Sequence, residues 1–166
     1  MHILELNYKT QSDSEIESLL YMFINSYSEE DFMASQEIID TEALRKILQH
    51  NDLIHFIAYE DKTPIAYCQI IYKAQSANFN SGAKINAISV LPSKRGQGVG
   101  LLLLTEVINA LESNPKIKNI YLDVAKSNET AIKLYKQLGF QKAGELKNLF
   151  TKNDVLIDIE TYSLNK

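Results

Sequence analysis

The sequence is poor in several residue types. It has one cysteine, no tryptophan, three prolines and six glycines in 166 residues. A single cysteine excludes an intramolecular disulfide framework and fits a reducing compartment. Cys68 lies in the apolar run Ile65–Ile71, where a small buried thiol is an ordinary core residue. No long basic run exists and the formal net charge is -4, so nucleic acid is not an expected partner. No apolar stretch approaches the ~18 residues of a membrane span. The opening Met1-His2-Ile3-Leu4-Glu5 reaches an acid after two apolar residues, unlike a signal peptide. The expectation is a cytoplasmic protein without a membrane partner. No His/Cys spacing suggests a metal, and no repeat or low-complexity segment stands out. The length suits one domain over residues 1–166. A domain of this size buries roughly 70% of the surface its unfolded chain exposes.

What is present is a readable succession of periods. Ile3 to Tyr8 alternates as a strand. Asp13 or Ser14 can cap a helix to about Tyr27, with Ile16, Leu19, Leu20, Phe23 and Ile24 as its apolar stripe. Residues 28–40 are acidic and irregular. Asp40 or Thr41 can cap a second helix to about Gln49. Leu53–Tyr59 and Ile65–Tyr72 read as a hairpin, and Lys84–Leu91 as the next strand. Within that strand Ile85 and Ala87 share one parity while Ile88 and Val90 share the other. A β-bulge produces such a slip, and burial on both faces would produce it too. A helix follows from about Gly100, with Leu103, Leu104, Val107, Ile108 and Leu111 in register, and Pro115 ends it. Ile120–Val124 is a strand, Asn128 caps a helix over Glu129–Leu138, and Gly139 suits its left-handed end. Two final strands, about Gln141–Leu146 and Val155–Tyr162, close the chain. The order β-α-α-β-β-β-α-β-α-β-β belongs neither to a doubly wound sheet nor to a β-sandwich.

The feature that organises this order is Lys94-Arg95-Gly96-Gln97-Gly98-Val99-Gly100-Leu101, set between a strand and a helix. Glycines there let backbone N–H groups approach a ligand, and a helix N-terminus adds unpaired donors and a positive dipole end. Together they make an anion site. The pattern G-x-x-x-x-G-K-[ST] of a P-loop is absent. A dinucleotide fingerprint would need glycine at Leu101, although Asp123 stands near the place of its acid. Arg95-x-x-Gly98-x-Gly100 is the remaining reading, and it resembles the pyrophosphate loop of the GNAT superfamily of acetyl-CoA-dependent N-acetyltransferases.

A second block supports that resemblance. Leu122-Asp123-Val124 followed by Asn128, Ala131, Leu134-Tyr135 and Gly139-Phe140 is similar to the pattern L-[ED]-V-x-x-x-N-x-x-A-x-x-[LF]-Y-x-x-x-G-F of the same superfamily. The resemblance implies an α/β (α+β) fold, the acyl-CoA N-acyltransferase or GNAT fold. It has a mixed sheet of about seven strands flanked by about four helices.

The resemblance also implies a reaction, in which a primary amine attacks the acetyl thioester of acetyl-CoA directly. The backbone around Arg95, Gly96, Gln97, Gly98, Val99, Gly100 and Leu101 would hold the pyrophosphate, with charge from Lys94 and Arg95. Ile88, Ser89 and Val90 would pair with the pantetheine arm where two strands splay. Asn128 would contact that arm or serve as a plain helix cap. Tyr135 would protonate the leaving thiolate or be a core tyrosine. Asp123 would act as base, through a bridging water, or hold a structural hydrogen bond. The alternative function is a non-catalytic acyl-CoA-binding or regulatory module on the same fold. The acceptor amine is not legible. Homodimers are common in the superfamily and leave no mark here.

Overall fold

The structure is a computed structural model that describes residues 1–6, 11–26, 40–72 and 82–165. Strand β1 (His2–Glu5) is followed by helices α1 (Asp13–Ser26) and α2 (Thr41–Leu48), then β2 (Leu53–Glu60), β3 (Thr63–Ile71) and β4 (Gly82–Val90). Helix α3 (Val99–Ser113), strand β5 (Asn119–Ala125), helix α4 (Glu129–Gln137) and strands β6 (Gln141–Lys152) and β7 (Val155–Asn165) complete it. The seven strands form one sheet in the order β1-β2-β3-β4-β5-β7-β6. Only β4 and β5 run parallel; every other neighbouring pair is antiparallel. This is the mixed α/β fold of seven strands and four helices that the resemblance implies.

Helices cover both faces. Leu103, Val107 and Leu111 of α3 and Ile132 and Tyr135 of α4 pack with Phe56, Cys68, Ile85 and Leu122 of the sheet. On the other face Ile16, Leu19, Met22 and Phe23 of α1 and Leu44 and Leu48 of α2 pack with Ile57 and Tyr67. Each such aliphatic or aromatic side chain contributes about 1.5–3 kcal/mol of burial. Adjacent residues Phe56 and Ile57 therefore serve opposite cores, as the period of a strand requires.

Local chemistry explains most boundaries. Ser12, one residue earlier than the sequence suggests, starts α1. It forms a capping box, with its own N–H donating to Glu15 at 2.7 Å and Glu15 N–H donating to Ser12 Oγ at 3.4 Å. The stripe of α1 is also rotated from expectation: Met22 is buried, whereas Ile24 is 57% exposed. Asp40 caps α2 by accepting from Ala43 N–H at 2.7 Å. Strand β6 runs to Lys152, well past the expected Leu146. It turns into β7 through Asn153 and Asp154, both at positive φ (49° and 61°), the geometry of a tight two-residue hairpin. Strand β1 ends at Glu5, and its expected extension to Tyr8 falls partly outside the described residues. Residues 28–39 of the expected acidic, irregular stretch lie outside them too.

Candidate active site

The site is built at the crossover between the two parallel strands. Leu91 N–H donates to Ile65 O at 2.9 Å as β4 ends, and Pro92–Lys94 makes a single 3-10 turn. Gly96 and Gly98 then adopt left-handed φ values of 71° and 79°. Gly98 is the N-cap of α3 and offers no side chain to its first turn. Backbone N–H groups from Gly96 through Leu101 donate to no acceptor among the described residues; the first to do so is Leu102, to Gly98 O at 3.0 Å. Six successive donors at the positive end of a fifteen-residue helix fit a diphosphate without any side-chain charge.

The side chains nearby are otherwise occupied. Arg95 Nε donates to Val90 O at 3.0 Å, and its Nη2 donates to Ser26 O at 2.6 Å. The guanidinium thus ties the end of β4 to the last turn of α1, where a cation is favourable. Lys94 pairs with Glu60. Gln97 folds back onto Ser93 O at 2.8 Å. The Arg95 guanidinium, donating to backbone carbonyls, still adds its positive charge beside the main-chain donors of the loop.

The two parallel strands separate next to this loop. They pair from Gly82↔Asn119 to Ile85↔Leu122 and no further. Beyond that point β5 pairs only with β7, through Asp123↔Thr161 to Ala125↔Ile159. Strand β4 continues to pair with β3 as far as Val90↔Ala66. The register between β3 and β4 jumps from Gln69↔Ala87 to Ile70↔Ile85, which leaves Asn86 as the extra residue. The bulge resolves the parity slip in the sequence: Ile85, Ile88 and Val90 all face the α3–α4 core, while Ala87 faces the α1–α2 core. The edge of β4 from Asn86 to Val90 is left facing a gap, suited to an extended amide-bearing chain.

Helix α4 stands over one side of that gap. A Cβ on Gly100 would touch Leu134 Cδ2 at 3.5 Å and Val90 Cγ2 at 3.7 Å, so α4 packs on the start of α3 and the end of β4. Asn128 caps α4, its Oδ1 accepting from Ala131 N–H at 3.1 Å. At the other end Phe140 N–H donates to Tyr135 O at 3.0 Å and Gly139 N–H to Lys136 O at 3.1 Å, a Schellman motif. The Phe140 ring meets Tyr135 edge to face at 6.0 Å. This fixes the Tyr135 ring, which is 5% exposed. Its hydroxyl makes no hydrogen bond with a described residue. Burial, then the nearby Cys68, push its pKa up, so it is a phenol at neutral pH.

Asp123 lies on the opposite face, one position past the last β4–β5 pair. Lys84 Nζ is 2.8 Å from its Oδ2, and Thr161 Oγ1 donates to its Oδ1 at 2.7 Å. Burial raises its pKa, but the hydrogen bonds from Lys84 and Thr161 and the Lys84 charge together hold it below the ordinary aspartate range. A carboxylate so held is a poor proton acceptor. Of the two roles open to it in the sequence, these partners fit the structural one.

The same face carries polar residues that sequence reasoning passed over. His55 on β2, Tyr67 and Gln69 on β3, and Asn86 at the bulge are joined side chain to side chain. The only hint in the sequence is that Tyr67 and Gln69 share a parity inside an apolar strand. Ser89 Oγ is sealed from solvent without a hydrogen-bond partner among the described residues.

A mixed sheet opened at one parallel pair, with a main-chain anion loop at the opening, defines the class of CoA-dependent acyltransferase folds. The chain belongs to the Acetyltransferase (GNAT) family, whose profile matches residues 17–140. N-alpha-acetyltransferase 50 of Danio rerio is 27% identical over 126 residues, 66% of this chain and 75% of that protein. An uncharacterized protein of Mycobacterium leprae, ML0378, is 43% identical over 61 residues, 37% of this chain; the match spans only 16% of that longer protein. Among solved structures, a ribosomal-protein-alanine N-acetyltransferase from Brucella melitensis superposes with a TM-score of 0.80 at 17% identity, over 100% of both chains. YncA from Salmonella typhimurium, described as a putative acetyltransferase with its cofactor acetyl-CoA, gives 0.75 at 16% identity, over 99% of this chain and 93% of that one. At these identities the two structures speak for the fold.

Proposed function

We propose that this protein transfers the acetyl group of acetyl-CoA to a primary amine by direct attack. The observation that carries this reading is the run of unpartnered N–H groups from Gly96 to Leu101 opening onto the unpaired edge of β4. The diphosphate of the substrate would accept from that run. The pantetheine arm would lie along Ile88, Ser89 and Val90, with Asn128 at its side. Val90 O already accepts from Arg95, so Ile88 and Ser89 carry the main-chain pairing. The acetyl thioester then reaches the bulge, beneath Tyr135.

The amine nitrogen attacks the thioester carbonyl; the C–N bond forms and the C–S bond breaks. The thiolate leaves towards Tyr135, whose phenol donates to it. Thiols sit near pKa of about 8.5 and phenols near about 10, so the phenol stabilises the thiolate by hydrogen bonding before any full proton transfer. The amine must shed its proton to water, because Asp123 is held by Lys84 and Thr161. At pH about 7.5 roughly a quarter of α-amino groups are free base, against about 0.1% of lysine-type amines. That difference favours an α-amino acceptor, and it agrees with the name of the Danio rerio relative.

The test is CoA release from acetyl-CoA across a panel: a short peptide with a free α-amino group, the same peptide with a blocked N-terminus, free lysine and spermidine. Release with the free-amino peptide above the others supports the reading. Tight acetyl-CoA binding with no release for any amine would make the protein a non-catalytic acyl-CoA-binding module.

A further inference from the structure

The hydrogen-bonded row beside the notch has a direction. His55 Nδ1 and the Tyr67 hydroxyl are 2.7 Å apart, Gln69 Nε2 donates to that hydroxyl at 3.1 Å, and Asn86 Nδ2 donates to Gln69 Oε1 at 2.6 Å. His55 is 3% exposed, and burial pushes its pKa down to about 4. A neutral imidazole has one donor and one acceptor nitrogen. Gln69 donates into the Tyr67 oxygen, which also lies within hydrogen-bond distance of His55 Nδ1. Each member thereby orients the next, and the row ends on Asn86 with its carbonyl oxygen outward.

That open end lies in a telling place. Asn86 is the bulged residue of β4 and the first one beyond the last β4–β5 pair. Its Oδ1 has no partner among the described residues and is not sealed from solvent. Through Gln69 and Tyr67 it belongs to the α1–α2 face, whereas Tyr135 belongs to the α3–α4 face. Lys84 and Asp123 beside it neutralise each other. The notch thus has an acid on one face and an aligned, uncharged acceptor on the other.

We propose that Asn86 Oδ1 accepts an N–H of the substrate amine and holds its nitrogen on the face of the thioester opposite Tyr135. Tyr67 and Gln69 are positioning residues that act through Asn86. This inference rests on the acetyl-transfer reading above. An uncharged oxygen holds the amine without favouring the unreactive ammonium, which a carboxylate at this point would do.

The experiment is steady-state kinetics with the free-amino peptide and with spermidine, together with calorimetric binding of acetyl-CoA. Asn86→Ala should raise the KM for the amine about tenfold or more and leave acetyl-CoA affinity within about twofold. Tyr67→Phe should raise the amine KM about threefold in the native background and not at all in Asn86→Ala, because the two act in series. If Asn86→Ala does not fold, Asn86→Ser carries the same expectation for the amine KM. An unchanged amine KM with intact acetyl-CoA binding overturns this inference alone. Additive effects of Tyr67→Phe and Asn86→Ala overturn the positioning role. A native protein that binds no acetyl-CoA overturns the functional reading on which it rests.

Discussion

Gly98→Ala isolates the contribution of one backbone angle. A Cβ at Gly98 would meet nothing within 4 Å, so the substitution introduces no clash. Its cost is conformational: φ is 79°, and a residue with a Cβ loses roughly 1–2 kcal/mol in the left-handed region. Alanine also narrows the unfolded chain, which offsets about 0.4–1 kcal/mol. The net loss is about 1 kcal/mol, and it can surface in two places. If the loop keeps its shape, folding stability falls and Tm drops by about 2–4 °C. If the free protein relaxes the loop instead, the six donors lose their alignment, and acetyl-CoA binds about fivefold more weakly. Thermal unfolding and calorimetric titration of the same samples should together account for that 1 kcal/mol.

Gly100→Ala is the internal control. Gly100 has no positive φ, and its Cβ would point at Leu134 and Val90 at ordinary contact distances of 3.5 and 3.7 Å. An alanine in the first turn of α3 should be neutral or stabilising by up to about 1 kcal/mol, with acetyl-CoA affinity unchanged. Gly98→Ala matching the native protein in both Tm and affinity would refute the role assigned to the left-handed cap. So would Gly100→Ala weakening acetyl-CoA as much as Gly98→Ala.

Other expectations follow from individual contacts. Tyr135→Phe keeps the edge-to-face contact with Phe140 and removes a hydroxyl without a protein partner; kcat should fall by about 10² with KM unchanged, and an unchanged kcat would return Tyr135 to the core. Asp123→Asn leaves the Lys84 ammonium unpaired at about three-quarters burial and should cost about 1–3 kcal/mol of stability at neutral pH. Because the folded carboxyl lies below its unfolded pKa of about 3.9, that contribution is present above pH 4 and is lost as pH falls through the folded value. Denaturant titrations of both proteins at pH 7 and pH 3 measure it, and the acid limb of kcat/KM should not move. Cys68 is fully buried and burial pushes its thiol pKa up; a disulfide reagent should leave it untouched in the native protein and modify it on unfolding, and rapid native modification would contradict its place in the core.

Local signals survived the passage from sequence to structure. The Schellman end at Gly139, the Asn128 cap and the left-handed Gly98 each depend on a few consecutive residues. The bulge was legible as a parity slip between Ala87 and Ile88, though its position at Asn86 is set by the β3 partner. Readings that depend on distant partners fared differently. Arg95 suggests phosphate contact in sequence, but its guanidinium meets Ser26 O, 69 positions away. Asp123 reads in sequence as a base or a structural hydrogen-bonding residue, and its partners Lys84 and Thr161 are brought beside it only by β4 and β7. The row from His55 to Asn86 spans three strands, and only their register aligns it. The rotated stripe of α1 has a simpler cause: Met22 and Ile24 are equally apolar, and the sheet beneath decides which is buried.

Acetyl-CoA binding by the loop main chain and the opened edge of β4 is what the proposed reaction rests on. The most direct test is a titration of isotopically labelled protein with acetyl-CoA, followed through its backbone amide resonances. Large shifts are expected at Gly96–Leu101 and at Ile88–Ser89, and small ones along β6 and β7. Binding that moves other amides and spares Gly96–Leu101 would contradict this placement.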